Sequence, residues 1–281
     1  MTKFLQCGRY TLDLGRPLVM GIVNLTDDSV SGDGLGSNVD QAIDHGLRLL
    51  KEGADILDIG AESSRPGAHA VPVDMEIQRL LPVIRKLMDC GIPISIDTTK
   101  PTVMRAVVDA GVDMINDINA LRAKGALEIV ATSKVAVCLM HMQGSPATMQ
   151  AAPQYVDVVA DVRSFLMERT AAANAAGILR DRIVIDPGFG FGKTLDHNLA
   201  LLRHLRDLEP LGLPVLVGMS RKSMLGSLTG RDSGERMSAG IAAHLLAVQR
   251  GARIVRTHDV AATVDALTLV NAVERSDGNL H

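Results

Sequence analysis

The sequence predicts a (β/α)8 barrel with a short N-terminal β-hairpin cap, and three observations predict it. A unit of short apolar strand, polar Gly-containing loop and amphipathic helix recurs eight times along the chain. The length of 281 residues suits one barrel, since barrels run to about 250 residues as a single unit while doubly wound sheets stop at about five or six strands. Every strand also ends in polar residues, and barrels keep their chemistry at the carboxyl ends of their strands.

In chain order, KFLQCGRYTLDLG at 3–15 reads as two short strands about a Gly8-Arg9 turn, placed before the repeat as a cap. The eight strands are read at 18–23, 55–59, 93–96, 112–115, 135–140, 182–185, 214–218 and 252–256. Continuous apolar runs of this kind are what parallel strands buried on both faces require. The helices are read at 38–52, 74–90, 101–110, 123–132, 157–177, 195–208, 235–250 and 260–274. No linker, low-complexity stretch or charge block divides the chain, so residues 1–281 are expected to form one domain.

Composition narrows the function classes. With 47% hydrophobic and 22% charged residues, the chain has ample core for a soluble globular protein. A net charge of -3 with no run of Lys or Arg gives no electrostatic case for a nucleic-acid partner. Aromatics at 2%, with no Trp, supply no stacking platform for single strands. Cys7, Cys90 and Cys138 are odd in number and widely spaced, which points to a reducing cytoplasm instead of a disulfide framework. No apolar stretch approaches the roughly 20 residues of a membrane span, and the N-terminus has no signal-peptide core.

The strand ends carry the functional signal. The clearest is RIVIDPGFGFGK, where a buried strand stops at Asp186-Pro187 and Gly alternates with Phe before Lys193. The first strand delivers Asn24, the second Asp58 and then Glu62, Ser63, Ser64 and Arg65, the third Asp97, and the fourth Asn116 and Asp117. After the fifth come His141 and Gln143; after the seventh, Ser220, Arg221 and Lys222; after the eighth, Arg256, His258 and Asp259. Asp97, Asn116 or Asp259 taken singly would serve as a helix cap or turn former. Capping does not call for Arg, Lys and His beside them, so the set reads as an active site. Cations gather after strands seven and eight, where barrels often hold phosphate, and Asp97, Asn116 and Asp186 suit the donor edge of a flat nitrogen-rich heterocycle. The substrate expected is small, with a polar ring at one end and a phosphate-type group at the other. Asn24, with phosphate oxygens of such a substrate, would suit Mg²⁺, which takes few protein ligands. Loops 24–37 and 60–72 are longer than a barrel needs and read as lids.

The strings MGIVNLTDDS, DIGAESSRPGA, SIDTTKP, MINDI, CLMHMQGSPATMQ, IDPGFGFGK, LVGMSRKSMLG and VRTHDVAATVDA resemble, in order and spacing, the signatures of bacterial dihydropteroate synthases. The resemblance implies condensation of (7,8-dihydropterin-6-yl)methyl diphosphate with 4-aminobenzoate, giving 7,8-dihydropteroate and pyrophosphate in folate synthesis. It places Asp97, Asn116, Asp186 and Lys222 on the pterin, Arg256, Thr257 and His258 on the diphosphate, and Asn24 on Mg²⁺. Ser64, Arg65, Pro66 and Ser220 fall on the aminobenzoate side. It moves Lys222 from the phosphate cations to the pterin and second substrate, and implies a homodimer through the later helices. Asp97, Asp186, Lys222, Arg256 and His258 are then expected to carry the chemistry.

The first lid departs from the family pattern, with Asp27 in place of Pro, Val30 in place of Phe, and Gly32-Asp33-Gly34 in place of Asp-Gly-Gly. The second has Ala61 for Gly and Ser64 for Thr. Losing the Phe removes an apolar wall shared by aminobenzoate and sulfonamides, so weaker binding of both is expected. The rival readings are a diverged pterin-binding paralogue with little synthase activity and a pterin-dependent corrinoid methyltransferase, which would not need the Arg256 and His258 diphosphate site.

Overall fold

The computed structural model describes residues 3–26, 38–65, 67 and 70–275. Strands β1 (Phe4–Cys7) and β2 (Tyr10–Asp13) pair antiparallel, turning at Gly8 and Arg9. Eight further strands form a closed parallel barrel: β3 (Leu18–Asn24), β4 (Ile56–Gly60), β5 (Ile94–Asp97), β6 (Met114–Asp117), β7 (Ala136–Met140), β8 (Ile183–Asp186), β9 (Val215–Val217) and β10 (Ala252–Thr257). Closure comes from β10 pairing with β3, Ile254 opposite Leu18 and Thr257 opposite Gly21. The helices are α1 (Val39–Lys51), α2 (Val73–Leu87), α3 (Pro101–Asp109), α4 (Ala126–Ala131), α5 (Val158–Ala175), α6 (Leu195–Arg203), α7 (Ser223–Thr229), α8 (Met237–Val248) and α9 (Val260–Arg275).

Two apolar layers result from the two faces of each strand. Val19, Leu57, Ile59, Ile96, Ile115, Val137, Ile185, Val217 and Val255 pack in one cluster with helix residues such as Leu80, Ile84 and Val103. The alternate positions Met20, Ile56, Met114, Cys138, Val184, Leu216 and Ile254 fill a second cluster, which Leu5, Cys7 and Leu14 of the hairpin segment join. The cap therefore plugs the amino-terminal end of the barrel. Arg9 fixes it there, its Nε and Nη2 donating to the buried Asp113 carboxylate at 3.0 and 2.9 Å. All three cysteines are free thiols.

This interior layer sets the position of the site. Successive strand residues face opposite ways, so the residue two places on from an interior apolar side chain faces inward again, one layer nearer the carboxyl end. Ile56 is followed in this sense by Asp58, Met114 by Asn116, Val184 by Asp186 and Ile254 by Arg256. An apolar floor with a polar layer above it is thus written into four strands at the same spacing.

Three helix expectations change. The fourth helix starts only at Ala126, because Gly125 at φ 92° is left-handed and cannot belong to the first turn. The sixth stops at Arg203 and continues as a 3-10 turn over Leu205–Leu211; Pro210 has no N–H to give an α-helix, and Gly212 at φ 66° ends the segment. The short helix α7 after β9 has no counterpart among the expected elements, since SRKSMLG reads as loop when its cations are taken first.

Candidate active site

A cavity of about 500 Å³ opens at the carboxyl ends of the strands. Asn24, Ser64, Arg65, Asp97, Ser220, Lys222, Arg256 and His258 line it, with Thr26, Glu62, Met149, Phe191 and Arg236. Asn116 and Asp186 are buried in the polar layer on the inward strand faces. The cavity walls and the polar layer are therefore built from strand ends spread along the chain.

Arg256 is the centre of this layer. Its Nε donates to Asp58 Oδ2 at 2.6 Å and its Nη2 to Asp97 Oδ2 at 3.1 Å. Asp58, fully buried, also accepts from Ser95 Oγ at 2.6 Å and from Asn116 Nδ2 at 3.1 Å. One carboxylate thus fixes both the guanidinium and the carboxamide, a link between β4, β5, β6 and β10. Burial pushes Asp97 up to about 7, against the opposing pull of Arg256, so the carboxyl group changes charge near neutral pH. Asp186 is raised too, by burial working against Lys222, and its Oδ1 accepts the Gly188 N–H at 2.7 Å.

The loop after β8 explains the alternating glycines. Gly188 has φ +70°, and a Cβ there would sit 1.9 Å from His141 O; Gly192 has φ +59° and would meet Gln143 O at 2.5 Å. The loop consequently lies directly on the segment after β7. Lys193 fastens it, with Nζ donating to Gly188 O, Phe191 O and His141 Nδ1, each at 2.9 Å. Burial lowers Lys193 to about 7 and His141 to about 3, so the imidazole is the neutral acceptor. The same loop seats Lys222: its Nζ donates to Phe189 O at 2.5 Å and stands 4.6 Å from the centroid of Phe191. Burial lowers Lys222 to about 8, opposed by Asp186.

On the other side, Ser220 Oγ lies 3.0 Å from His258 Nδ1. Arg221, at φ 59°, reaches Asp259 Oδ1 through Nη2 at 2.7 Å, joining the turn after β9 to the start of α9. Thr257 does not share this exposure: it is buried, and its Oγ1 accepts the Asp259 N–H at 3.1 Å and the Thr263 hydroxyl at 3.4 Å. Its side chain is committed to the turn instead of the cavity. Pro66 and the first-lid departures Asp27, Val30 and Gly32-Asp33-Gly34 lie outside the described residues. Ala61 is fully buried in the core cluster that surrounds the barrel.

Asp58 and Lys100 are the residues that reading the sequence left unassigned. Asp58 is the middle residue of β4, and the partner that gives it a role is 198 residues away. Lys100 Nζ donates to Glu62, to Glu76 Oε2 at 2.6 Å and to Val71 O at 2.7 Å, and no periodicity in the sequence announces that meeting. Asn24 offers one hard oxygen at the cavity wall, and among the described residues no group of three His, Cys, Asp or Glu is placed to cage a metal. Among the same residues, no helix is long and apolar enough to cross a membrane.

Comparison with known proteins adds identity to this geometry. The family model described as "Pterin binding enzyme" matches residues 20–258. Dihydropteroate synthase of Neisseria meningitidis serogroup B is 50% identical over 275 residues, covering 95% of this chain and 96% of that one. The Escherichia coli K12 enzyme of the same name is 46% identical, covering 93% of each. The solved Xanthomonas albilineans dihydropteroate synthase with 4-aminobenzoic acid superposes with a TM-score of 0.91 at 55% identity, covering 98% of this chain and 99% of that one. The Burkholderia cenocepacia enzyme complexed with 7,8-dihydropteroate gives 0.90 at 50%, covering 98% and 97%.

Proposed function

The chain belongs to the pterin-binding enzymes, and from that premise we infer that it is a dihydropteroate synthase, joining (7,8-dihydropterin-6-yl)methyl diphosphate to 4-aminobenzoate with release of pyrophosphate. The observation that carries this reading is the convergence of Asp97, Asn116, Asp186, Lys222 and Arg256 in and beneath one cavity, acidic and amide groups beside cations. A purified sample should release pyrophosphate from the pterin diphosphate only when 4-aminobenzoate is present. Release without the amine, or none with both substrates, would overturn the reading.

In this reading Asp97, Asn116 and Asp186 take the donor edge of the pterin, and Lys222, held over Phe191, stands between pterin and amine. Ser64, Arg65, Pro66 and Ser220 receive the aminobenzoate. The amine is a sufficient nucleophile without a strong base, so the barrier lies in breaking the C–O bond to the diphosphate. Arg256 and His258 stabilise the charge that leaves with it. Asp97 and Asp186 favour the positive charge that grows on the pterin methylene. Asn24 would hold Mg²⁺ jointly with diphosphate oxygens, and its single carboxamide at the cavity wall fits an ion that prefers few protein ligands. Bound there, the ion would neutralise part of the leaving group's charge.

Three further elements complete the proposal. The enzyme works in the cytoplasm. It pairs as a homodimer through its later helices, a reading supported by exposed Leu246 on α8 and Leu269 on α9. The first-lid departures at Asp27 and Val30 weaken sulfonamide and aminobenzoate binding.

A further inference from the structure

The wall formed by Ser63 and Ser64 has open space on both sides. It lines the main cavity on one face and, on the other, a second cavity of about 500 Å³ whose remaining walls include Thr98, Ile118 and Ser145. Among the described residues, contacts at the two ends of this segment help to place it. Further along, Gly67 N–H reaches Pro146 O at 3.3 Å. At the base several contacts meet in one ammonium group. Lys100 Nζ donates to Glu62, at the start of the loop, and to Val71 O, at its end, while the Val71 N–H donates to the same Glu62 carboxylate at 2.6 Å. A third bond runs to Glu76 Oε2 at 2.6 Å, in the first turn of α2, and Glu76 Oε1 accepts Thr98 Oγ1 at 2.7 Å. Glu76 is 1% exposed, so the two carboxylates would repel at close range without the cation between them.

We propose that Lys100 is a positioning residue for the amine substrate: it ties Glu62 to Val71 in a hydrogen-bonded ring and so fixes Ser64 and Arg65 at the mouth of the cavity. The proposal rests on the reading that Ser64 and Arg65 face 4-aminobenzoate. Lys100 itself lines neither cavity. Its effect is therefore expected on one Michaelis constant and not on both, because Asp58, Asn116 and Arg256 are held by a separate network.

The test is two-substrate steady-state kinetics on the full-length protein. Lys100→Met should raise KM for 4-aminobenzoate at least tenfold while leaving KM for the pterin diphosphate within about twofold, and Lys100→Arg should recover most of the loss. Unchanged constants in Lys100→Met, or an equal rise in both, would overturn the proposal. Should Lys100→Met fail to fold, Glu62→Gln reads the same ring: a several-fold rise in the aminobenzoate KM alone supports it, and no rise refutes it. Arg65→Ala separates the two levels of inference. If it leaves the aminobenzoate KM unchanged, the assignment of this wall has failed and the proposal falls with it. If it raises that KM while Lys100→Met does not, the wall is correctly assigned and the ring closure alone is wrong.

Discussion

Asp58 Oδ2 stands 2.6 Å from Nε of Arg256, although 198 residues separate the two in the chain. The strand between them, β3, pairs with both β4 and β10, so the contact bridges the inside of the barrel across one neighbour. Asp58 is fully buried and Arg256 largely so, and a buried cation stripped of its carboxylate is costly.

Asp58→Ala should therefore lower stability by about 3 kcal/mol, measured by urea unfolding, since it leaves Arg256 with Asp97 alone and strips Ser95 and Asn116 of their buried acceptor. Asp58→Asn keeps the shape and should fold better, but it loosens both Arg256 and Asn116. A fall of roughly 100-fold in kcat/KM for the pterin diphosphate is expected, because a displacement of about 1 Å is enough for that. Full activity in Asp58→Asn would show that Arg256 needs no such support.

Asp97 gives a pH signature. Its carboxyl group is raised from 3.8 to about 7, chiefly by burial, so the folded protein holds the proton more tightly than the unfolded chain. Its contribution to stability is fully present below about 3.8 and is lost as pH rises through about 7. The stability of the parent protein relative to Asp97→Asn should fall over that window, by an amount on the order of a few kcal/mol, and then level off. A difference that stays flat between pH 4 and 7, in matched urea titrations, would contradict it.

The barrel and most of its polar mouth were legible because strand period and strand-end chemistry are local. Asp97, Asn116, Asp186, Lys222 and Arg256 each sit at an apolar run's end, and the closed parallel topology brings all such ends to one face. What escaped were relations between distant segments. Asp58 belongs with Arg256, and Lys100 with Glu62 and Glu76, only once the chain has closed. Thr257 was misjudged for a related reason: it lies between two cavity residues, but alternation along β10 turns it away from them. The helix α7 was hidden because it is only 7 residues long and begins directly after the loop's cations Arg221 and Lys222.

The glycines after β8 should differ sharply in tolerance from an exposed one. Gly188→Ala combines φ +70° with a Cβ 1.9 Å from His141 O, so the loop must leave its seat. A loss well above 2 kcal/mol is expected, together with activity, since Phe189 O and Phe191 move with it. Gly177, at φ +96° with nothing within 4 Å, carries only the backbone penalty, and Gly177→Ala should cost about 1 kcal/mol with activity intact. Similar thermal stabilities for the two variants would rule out the loop's close approach to the segment after β7.

Lys193 supplies the opposite pH dependence to Asp97. Lys193 is 3% exposed; its Nζ bonds three carbonyls and a neutral imidazole, and its pKa is lowered from 10.5 to about 7 mainly by burial. The unfolded chain therefore holds this proton more tightly than the folded one between about 7 and 10.5. The stability that Lys193 confers is full above that range and is lost as pH falls through it towards about 7, so the parent protein should gain on Lys193→Met between pH 7 and 9.5 in parallel urea titrations. Activity gives an independent check. Lys193 holds the loop that seats Lys222, so Lys193→Met should lower kcat about tenfold or more even at pH 9.5, where the charge itself is no longer favoured. A variant as active as the parent, or a stability gap that narrows as pH rises, would remove Lys193 from the support of the site.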